Sequence, residues 1–351
     1  MITRDEILGW LKETDEARLE ELWQLADAAR TQHVGDAVHL RGLIEISNHC
    51  ARQCGYCGIR APHTGVTRYR LSADEIWGCV EHAVEYGYGT VVMQSGEDWG
   101  IDVDWLAALI RRIKDETPLA VTLSLGERTE EELKLWREAG ADRYLLRFET
   151  SDAGLYGRIH PGRDGQPGRL DDRLARLRVL QQLGYEAGSG VMIGIPGQSY
   201  QSLAGDIVLF REMDLDMIGV GPYLAHPETP VGRGEWTQPL ADGEQVPATE
   251  LMGYKVLALT RLMCPEANLP STTALATLNY DSGRELGLQR GANVIMPNLT
   301  PPQYRCLYEI YPAKACLQES EEDFHHAIRA RIESVGRVVG TGQGSRQKGL
   351  G

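Results

Sequence analysis

Cys50, Cys54 and Cys57 fall within one eight-residue stretch, spaced C-x3-C-x2-C. Three thiolates on one short loop can converge on one metal centre. A cubane iron–sulfur cluster ordinarily takes four cysteines, one per iron. Three leave one iron open to a small chelating molecule. The rival reading is zinc, which takes four Cys or His ligands, often as paired C-x2-C units. His49 is a candidate fourth ligand, but it abuts Cys50 and no second pair follows. The ligand arithmetic favours a 4Fe–4S cluster. A disulfide is disfavoured, because the first residues carry early charge and no long apolar run, which reads as no secretion signal.

The chain has 351 residues, 42% hydrophobic and 25% charged, enough to bury a large core as one α/β barrel or two domains. A net charge of −14 argues against non-specific nucleic-acid binding and against an anionic membrane surface. No apolar run approaches a membrane span. Seven cysteines, three of them in a metal motif, read as a reducing cytoplasm.

The elements that must carry this loop follow a rhythm. Residues 4–12 and 15–33 read as amphipathic helices, the second with Leu19, Leu22, Trp23 and Ala26 at helical spacing. Strand-like runs follow at 40–47, 89–95, 119–125, 143–149, 187–194, 216–221, 269–273 and 292–296. Helices between them are expected near 72–87, 102–116, 129–139, 170–184, 199–213, 248–263 and 279–288. Ser72 and Glu75 form a capping box, and Gly87, Gly140 and Gly184 stand where helices should stop. Eight alternating units predict a parallel (β/α)8 TIM-type barrel with an N-terminal helical extension. The expected division is 1–38 for helices packing on the barrel, 39–312 for the barrel and 313–351 for a C-terminal extension. Its last dozen residues, from Gly340, read as disordered. Chemistry in such barrels sits at the C-terminal strand ends, where the cysteine loop also falls. The Pro- and Gly-rich stretch 222–247 suits a cover for the mouth or one flank.

The chain resembles the HydE-type maturases of FeFe-hydrogenase, within the radical S-adenosylmethionine (SAM) superfamily. The likeness covers nearly all of residues 1–316. It rests on residues 50–58 with Tyr56 before the last Cys, and on 94–98, 122–127, 141–150, 226–230 and 291–298. It implies that SAM chelates the open iron and is cleaved to an adenosyl radical, the cofactor supplying the difficult chemistry. It implies one 4Fe–4S cluster on Cys50, Cys54 and Cys57. By the same resemblance Tyr56, Ser95, Gly96, Glu97, Ser124, Glu149, Arg173 and Met192 hold SAM, with Arg173 on the methionyl carboxylate. Thr122, Arg147, Thr272, Thr273, Met296 and Tyr308 resemble residues lining the substrate cavity. Each has a plainer reading. Glu149 suits a strand-end ion pair, Arg173 a solvated helix face, the threonines strand formation and Met296 the core. Arg147, if buried, needs a partner such as Glu149 or an anionic substrate.

The family implies a small iron complex as substrate, carrying carbonyl, cyanide and cysteine. It also implies a low-potential electron donor and companion maturases, including a scaffold protein that receives the product. Two other radical SAM activities compete: a mutase of the methylornithine-synthase type acting on lysine, and sulfur insertion of the biotin-synthase type. The latter needs cysteines at further strand ends, which are missing here. A non-catalytic iron–sulfur carrier would not need Glu97, Glu149 and Arg173. Many family members have three more C-terminal cysteines for a second cluster. Here Cys316 matches the first, while Phe324 and Ala327 stand at the others. His226, His325 and His326 read as structural or solvated, and Cys79 and Cys264 as small apolar groups.

Overall fold

The computed structural model describes residues 2–162, 165–236, 239–315 and 321–348. Helices α1 (Arg4–Lys12) and α2 (Glu16–Val34) precede the sheet. Thr3 and Glu6 close a capping box on α1, and Asp15 caps α2. The strands are β1 (Ala37–Ser47), β2 (Thr90–Ser95), β3 (Ala120–Ser124), β4 (Arg143–Leu145), β5 (Glu186–Ile193), β6 (Met217–Pro222), β7 (Val294–Ile295) and β8 (Val338–Val339). Their order is β6-β5-β4-β3-β2-β1-β7, all parallel, with β8 beside the start of β1. This is an α/β fold of the TIM type.

Crossover helices cover the outer face: α3 (Ala73–Glu85), α4 (Val103–Glu116), α5 (Glu130–Glu138), α7 (Leu170–Gln182), α8 (Tyr200–Glu212) and α9 (Glu250–Met263). The expected Ser72–Glu75 capping box is present, and Gly87, Gly140 and Gly184 end their helices at positive φ. Ile44, Ile46, Val91, Met93, Val121 and Leu123 are buried in the main core. Each such side chain contributes roughly 1.5–3 kcal/mol. The alternate residues line the barrel interior, where Glu45, Gln94 and Ser124 sit side by side in register. Helix α1 packs on α8, and α2 on α9.

The structure corrects three expectations. Residues 269–273 form no strand. Asn268 bridges Met217 and Pro270 bridges Val294, so an irregular segment spans the seam between β6 and β7. Pro270 has no N–H to extend a ladder, and Thr272 is already the N-cap of α10 (Thr273–Leu278). Strand β4 stops at Leu145 rather than 149: Phe148 N donates to the Ser189 hydroxyl instead of a strand carbonyl, and Glu149 takes φ 65°, outside strand geometry. Pairing resumes for one residue, Glu149 with Val191.

The third correction is the tail. Its described part, 340–348, docks under the strand starts. Arg143 donates to the Gln343 carbonyl and Ser345 Oγ, and Arg41 and Asn268 both donate to the Gly344 carbonyl. Arg346 pairs with Asp214, Asp216 and Glu266. Glycines leave backbone carbonyls accessible, so buried donors hold a stretch that composition alone reads as loose.

Helices α6 (Ala153–Ile159), α11 (Gly283–Gln289), α12 (Pro302–Arg305) and α13 (Glu321–Ser334) complete the described elements. Of these, α11 matches the helix expected at 279–288. Cys316 lies outside the described residues; Phe324 is on α13, beneath the Arg284 guanidinium. Among the described residues no helix is long and apolar enough to cross a membrane.

Candidate active site

The cysteine loop leaves β1 after a register shift between Glu45 and Ser47. It is pinned from several sides by backbone hydrogen bonds. Ala51 N donates to the Glu97 carbonyl, Gly55 N to Ile159 and Gly58 N to Ile310, at 2.8–3.0 Å. Gly96 must be a glycine here: a Cβ would fall 2.7 Å from Cys50 Cβ and collide with the His49 carbonyl. Residues 231–236 cross this loop, with Val231 N donating to the Gly55 carbonyl and Trp236 packed on Gly55.

Burial, first of all, raises the three thiols above their ordinary pKa, Cys57 to about 12; Cys50 and Cys57 push Cys54 up further, and Cys50 does the same to Cys57. A positive centre is needed to hold them ionised together. Among the described residues, no three His, Cys, Asp or Glu side chains group around a single ion. A cubane makes a different demand, one sulfur to each of three irons, and the loop offers three thiols, Cys50, Cys54 and Cys57.

His160 closes the loop from the side. Its Nδ1 lies 3.3 Å from Cys54 Sγ and its Nε2 2.6 Å from the Tyr56 hydroxyl. Burial, and then Arg173, Arg52 and Arg147, depress its pKa well below the ordinary value.

Under the loop lies a cavity of about 330 Å³. Its wall includes Tyr56, Cys57, Ser95, Ser124, Glu149 and Met192 from the expected cofactor set. It also includes Arg147, Thr272, Thr273, Met296 and Tyr308 from the expected substrate set. Arg147 is half-buried and has a carboxylate partner. Its Nε and Nη2 donate to Glu149 at 2.7 and 2.9 Å, and Nη1 to the Gly219 carbonyl at 3.0 Å. The positive φ of Glu149, worth about 1–3 kcal/mol of strain, accompanies this pairing. Thr272 Oγ1 is buried without a hydrogen-bond partner.

Other expected residues stand off the cavity wall. Thr122 is buried one layer deeper on the Ser124 face of β3, its hydroxyl also unpartnered. Glu97 and Arg173 belong to a charge chain beside the cavity. Arg52 lies 3.6 Å from both Glu97 and Glu127, and Arg173 Nε donates to Glu127 at 2.8 Å. Arg173 Nη1 donates to the Arg147 carbonyl at 2.7 Å. Arg173 is buried, so it is no solvated face.

Sequence reasoning missed Glu45, Lys314 and His160. Lys314 Nζ donates to Glu45 Oε1 at 2.6 Å and to the Tyr308 carbonyl at 2.9 Å, on the cavity wall. Glu45 had a signal, an acid amid the apolar residues of an inner strand. Lys314 had none, since it comes from the C-terminal extension. Of the other histidines, His226 is buried 3.2 Å from Glu309, and His325 stacks on Tyr86.

Comparison with known proteins gives the chain a family. A family model described as the radical SAM superfamily matches residues 44–209. The FeFe hydrogenase maturase subunit HydE of Thermotoga maritima is 40% identical over 349 residues, 99% of this chain and 94% of its own. The 3-methylornithine synthase of Methanosarcina acetivorans is 26% identical over 337 residues, 95% of this chain and 89% of its own. Among solved structures, methylornithine synthase (PylB) superposes with a TM-score of 0.80 at 24% identity, covering 97% of this chain and 94% of that one, a likeness of fold. With 40% identity along almost its whole length to a hydrogenase maturase, the chain belongs to the radical SAM superfamily, in its HydE-type branch, and is an enzyme.

Proposed function

We propose that this enzyme acts in assembly of the FeFe-hydrogenase active-site cofactor, on a small cysteine-bound iron carbonyl cyanide complex. The observation that carries the reading is the single cavity in which Cys57, the Arg147–Glu149 pair, Thr272, Thr273 and Tyr308 meet. Cys50, Cys54 and Cys57 hold one 4Fe–4S cluster, which together with bound SAM supplies an adenosyl radical. Ser95, Gly96, Ser124, Glu149 and Met192 hold SAM beside the loop, with Tyr56. Arg173 already commits Nε and Nη1 to protein partners, which leaves Nη2 for the methionyl carboxylate. Glu97 steadies the segment through Arg52 and by accepting from the Glu127 N–H at 3.0 Å.

Arg147 and the unpartnered Thr272 hydroxyl offer donors to an anionic or cyanide-bearing substrate. The cover at 222–247 and the buried walls keep water and protein hydrogen donors from a radical. Companion maturases, including a scaffold that receives the product, and a low-potential electron donor complete the scheme. Of the second-cluster positions, Cys316 alone is a cysteine, so the chain carries one cluster.

The test is anaerobic. Reconstituted protein with SAM and a strong reductant should form 5′-deoxyadenosine, and the Cys54→Ala protein should form none. Product from Cys54→Ala at the parent rate would remove the cluster assignment. A second reading, a mutase of the methylornithine-synthase type, is favoured by 26% identity over 95% of the chain. Radical turnover with L-lysine, and none with the iron complex, would select it.

A further inference from the structure

The three cysteine sulfurs do not meet the same donors. Cys50 Sγ takes a backbone N–H, that of Glu97, at 3.4 Å. Cys54 Sγ meets an imidazole, His160 Nδ1, at 3.3 Å. A sulfur bound to iron carries no proton and can only accept. The contact then requires the hydrogen on Nδ1, and the neutral ring must present Nε2 as an acceptor. The group facing Nε2 fits, because the Tyr56 hydroxyl lies 2.6 Å away and can donate.

The ring is held from other sides as well. It stacks on Tyr156, centroids 5.1 Å apart at 16° between planes, and meets Tyr56 edge-on at 5.2 Å. His160 N donates to the Tyr156 carbonyl at 2.8 Å. A ring fixed at this many points cannot turn to exchange its two nitrogens. Tyr56 itself sits between Cys54 and Cys57 in sequence, so the loop carries both ends of the relay.

We infer that His160 is a positioning residue for the cluster: its Nδ1–H donates to the Cys54 sulfur, Tyr56 O–H donates to its Nε2, and the relay makes the cluster easier to reduce. This rests on the cluster reading above. Reduction adds one electron from a low-potential donor, and the extra negative charge spreads onto the sulfurs. An N–H dipole aimed at one sulfur stabilises the reduced form more than the oxidised one, and hydrogen bonds to sulfur are among the factors that set such potentials. Ligand-orienting groups of this kind commonly decide the behaviour of a metal site.

The test is a redox titration of the reconstituted, SAM-free protein, followed by the electron paramagnetic resonance signal of the reduced cubane. His160→Leu should shift the reduction equilibrium about tenfold towards the oxidised form, a potential lower by about 59 mV for one electron. His160→Asn, whose amide N–H falls near the Nδ1 position, should recover most of that shift. Tyr56→Phe, which frees the opposite tautomer, should shift the potential the same way by less. A His160→Leu protein with about four irons, a cubane signal and the parent potential would overturn the inference and leave the cluster reading standing. If the parent forms no cubane signal, the cluster reading fails instead. If His160→Leu does not load iron, an unchanged potential in Tyr56→Phe overturns the inference.

Discussion

The Glu45–Lys314 pair allows a prediction with its magnitude worked from geometry. The two side chains are 1% and 4% exposed. Lys314 reaches Glu45 Oε1 and the Tyr308 carbonyl, and Asn298 Nδ2 reaches Glu45 Oε2 at 3.2 Å. Lys314→Met fills similar space but strands the carboxylate. Removing one partner of a buried pair costs about 3–5 kcal/mol. At about 2.1 cal/mol/K per residue, unfolding this chain gains roughly 0.7 kcal/mol/K, so Tm should fall by about 4–7 °C. Adding Glu45→Leu removes the stranded charge and leaves Asn298 short of one acceptor, a loss of about 1–3 kcal/mol. The double variant should therefore melt above Lys314→Met, roughly 1–4 °C below the parent. The assay is calorimetry of the cluster-free protein at one fixed scan rate, since irreversible unfolding makes Tm depend on that rate. A double variant losing as much as the two single variants combined would refute the pairing.

Four further outcomes are expected. Gly96→Ala, whose new methyl would press on Cys50 and the His49 carbonyl, should force the cysteine loop off the β2 turn at about 1–3 kcal/mol of strain; iron loss to a chelator should quicken, and a parent-like rate would refute the close approach. Arg173→Ala should weaken SAM binding by roughly ten- to a hundredfold with the cluster intact; equilibrium dialysis showing equal affinity would return Arg173 to a purely structural role. Reconstitution should give about four irons per chain, unchanged in Cys316→Ser; a count near eight that falls in the variant would reveal a second site. His39 is pushed down to about 4 by burial and then by Arg41 and Arg143, so it is neutral when folded. It contributes stability above its ordinary 6.5 that is lost as pH falls towards 4, and His39→Gln should flatten that part of the stability curve.

What was legible in the sequence followed from local chemistry. The cysteine spacing marked the loop, and alternation of strands and helices marked the barrel, because periodicity and capping act within a few residues. Arg147 with Glu149 was readable as well, since one residue type demanded the other within the same strand end. The losses came where distant residues decide. Pro270 and the Thr272 cap cancel a strand that apolar content suggested. Lys314 reaches Glu45 across 269 positions of chain. The Gly-rich tail carries no apolar signal, yet Arg41, Arg143 and Asn268 await its carbonyls. Such partners are visible only once the barrel brings the strand starts together.

That tail completes an argument about the cavity. Radical chemistry needs a compartment shielded from solvent, and a barrel has two ends. At the C-terminal end the cysteine loop and residues 222–224 line the cavity, and Val231 and Trp236 pack on the loop at Gly55. At the other end two buried guanidiniums, Arg41 and Arg143, face inward among the strand starts. Glu186 pairs with Arg143 at 2.6 Å, but Arg41 has the Met217 sulfur and a tail carbonyl. Burial first, then Arg143, pulls the Arg41 pKa down to about 9. Buried cations without full partners are costly, and the Gln343 and Gly344 carbonyls reduce that cost. The tail thus seals the pole opposite the cysteines by satisfying charges that the strand starts leave behind. The cysteine loop lies at one pole of the barrel, and residues 343–346 close the other.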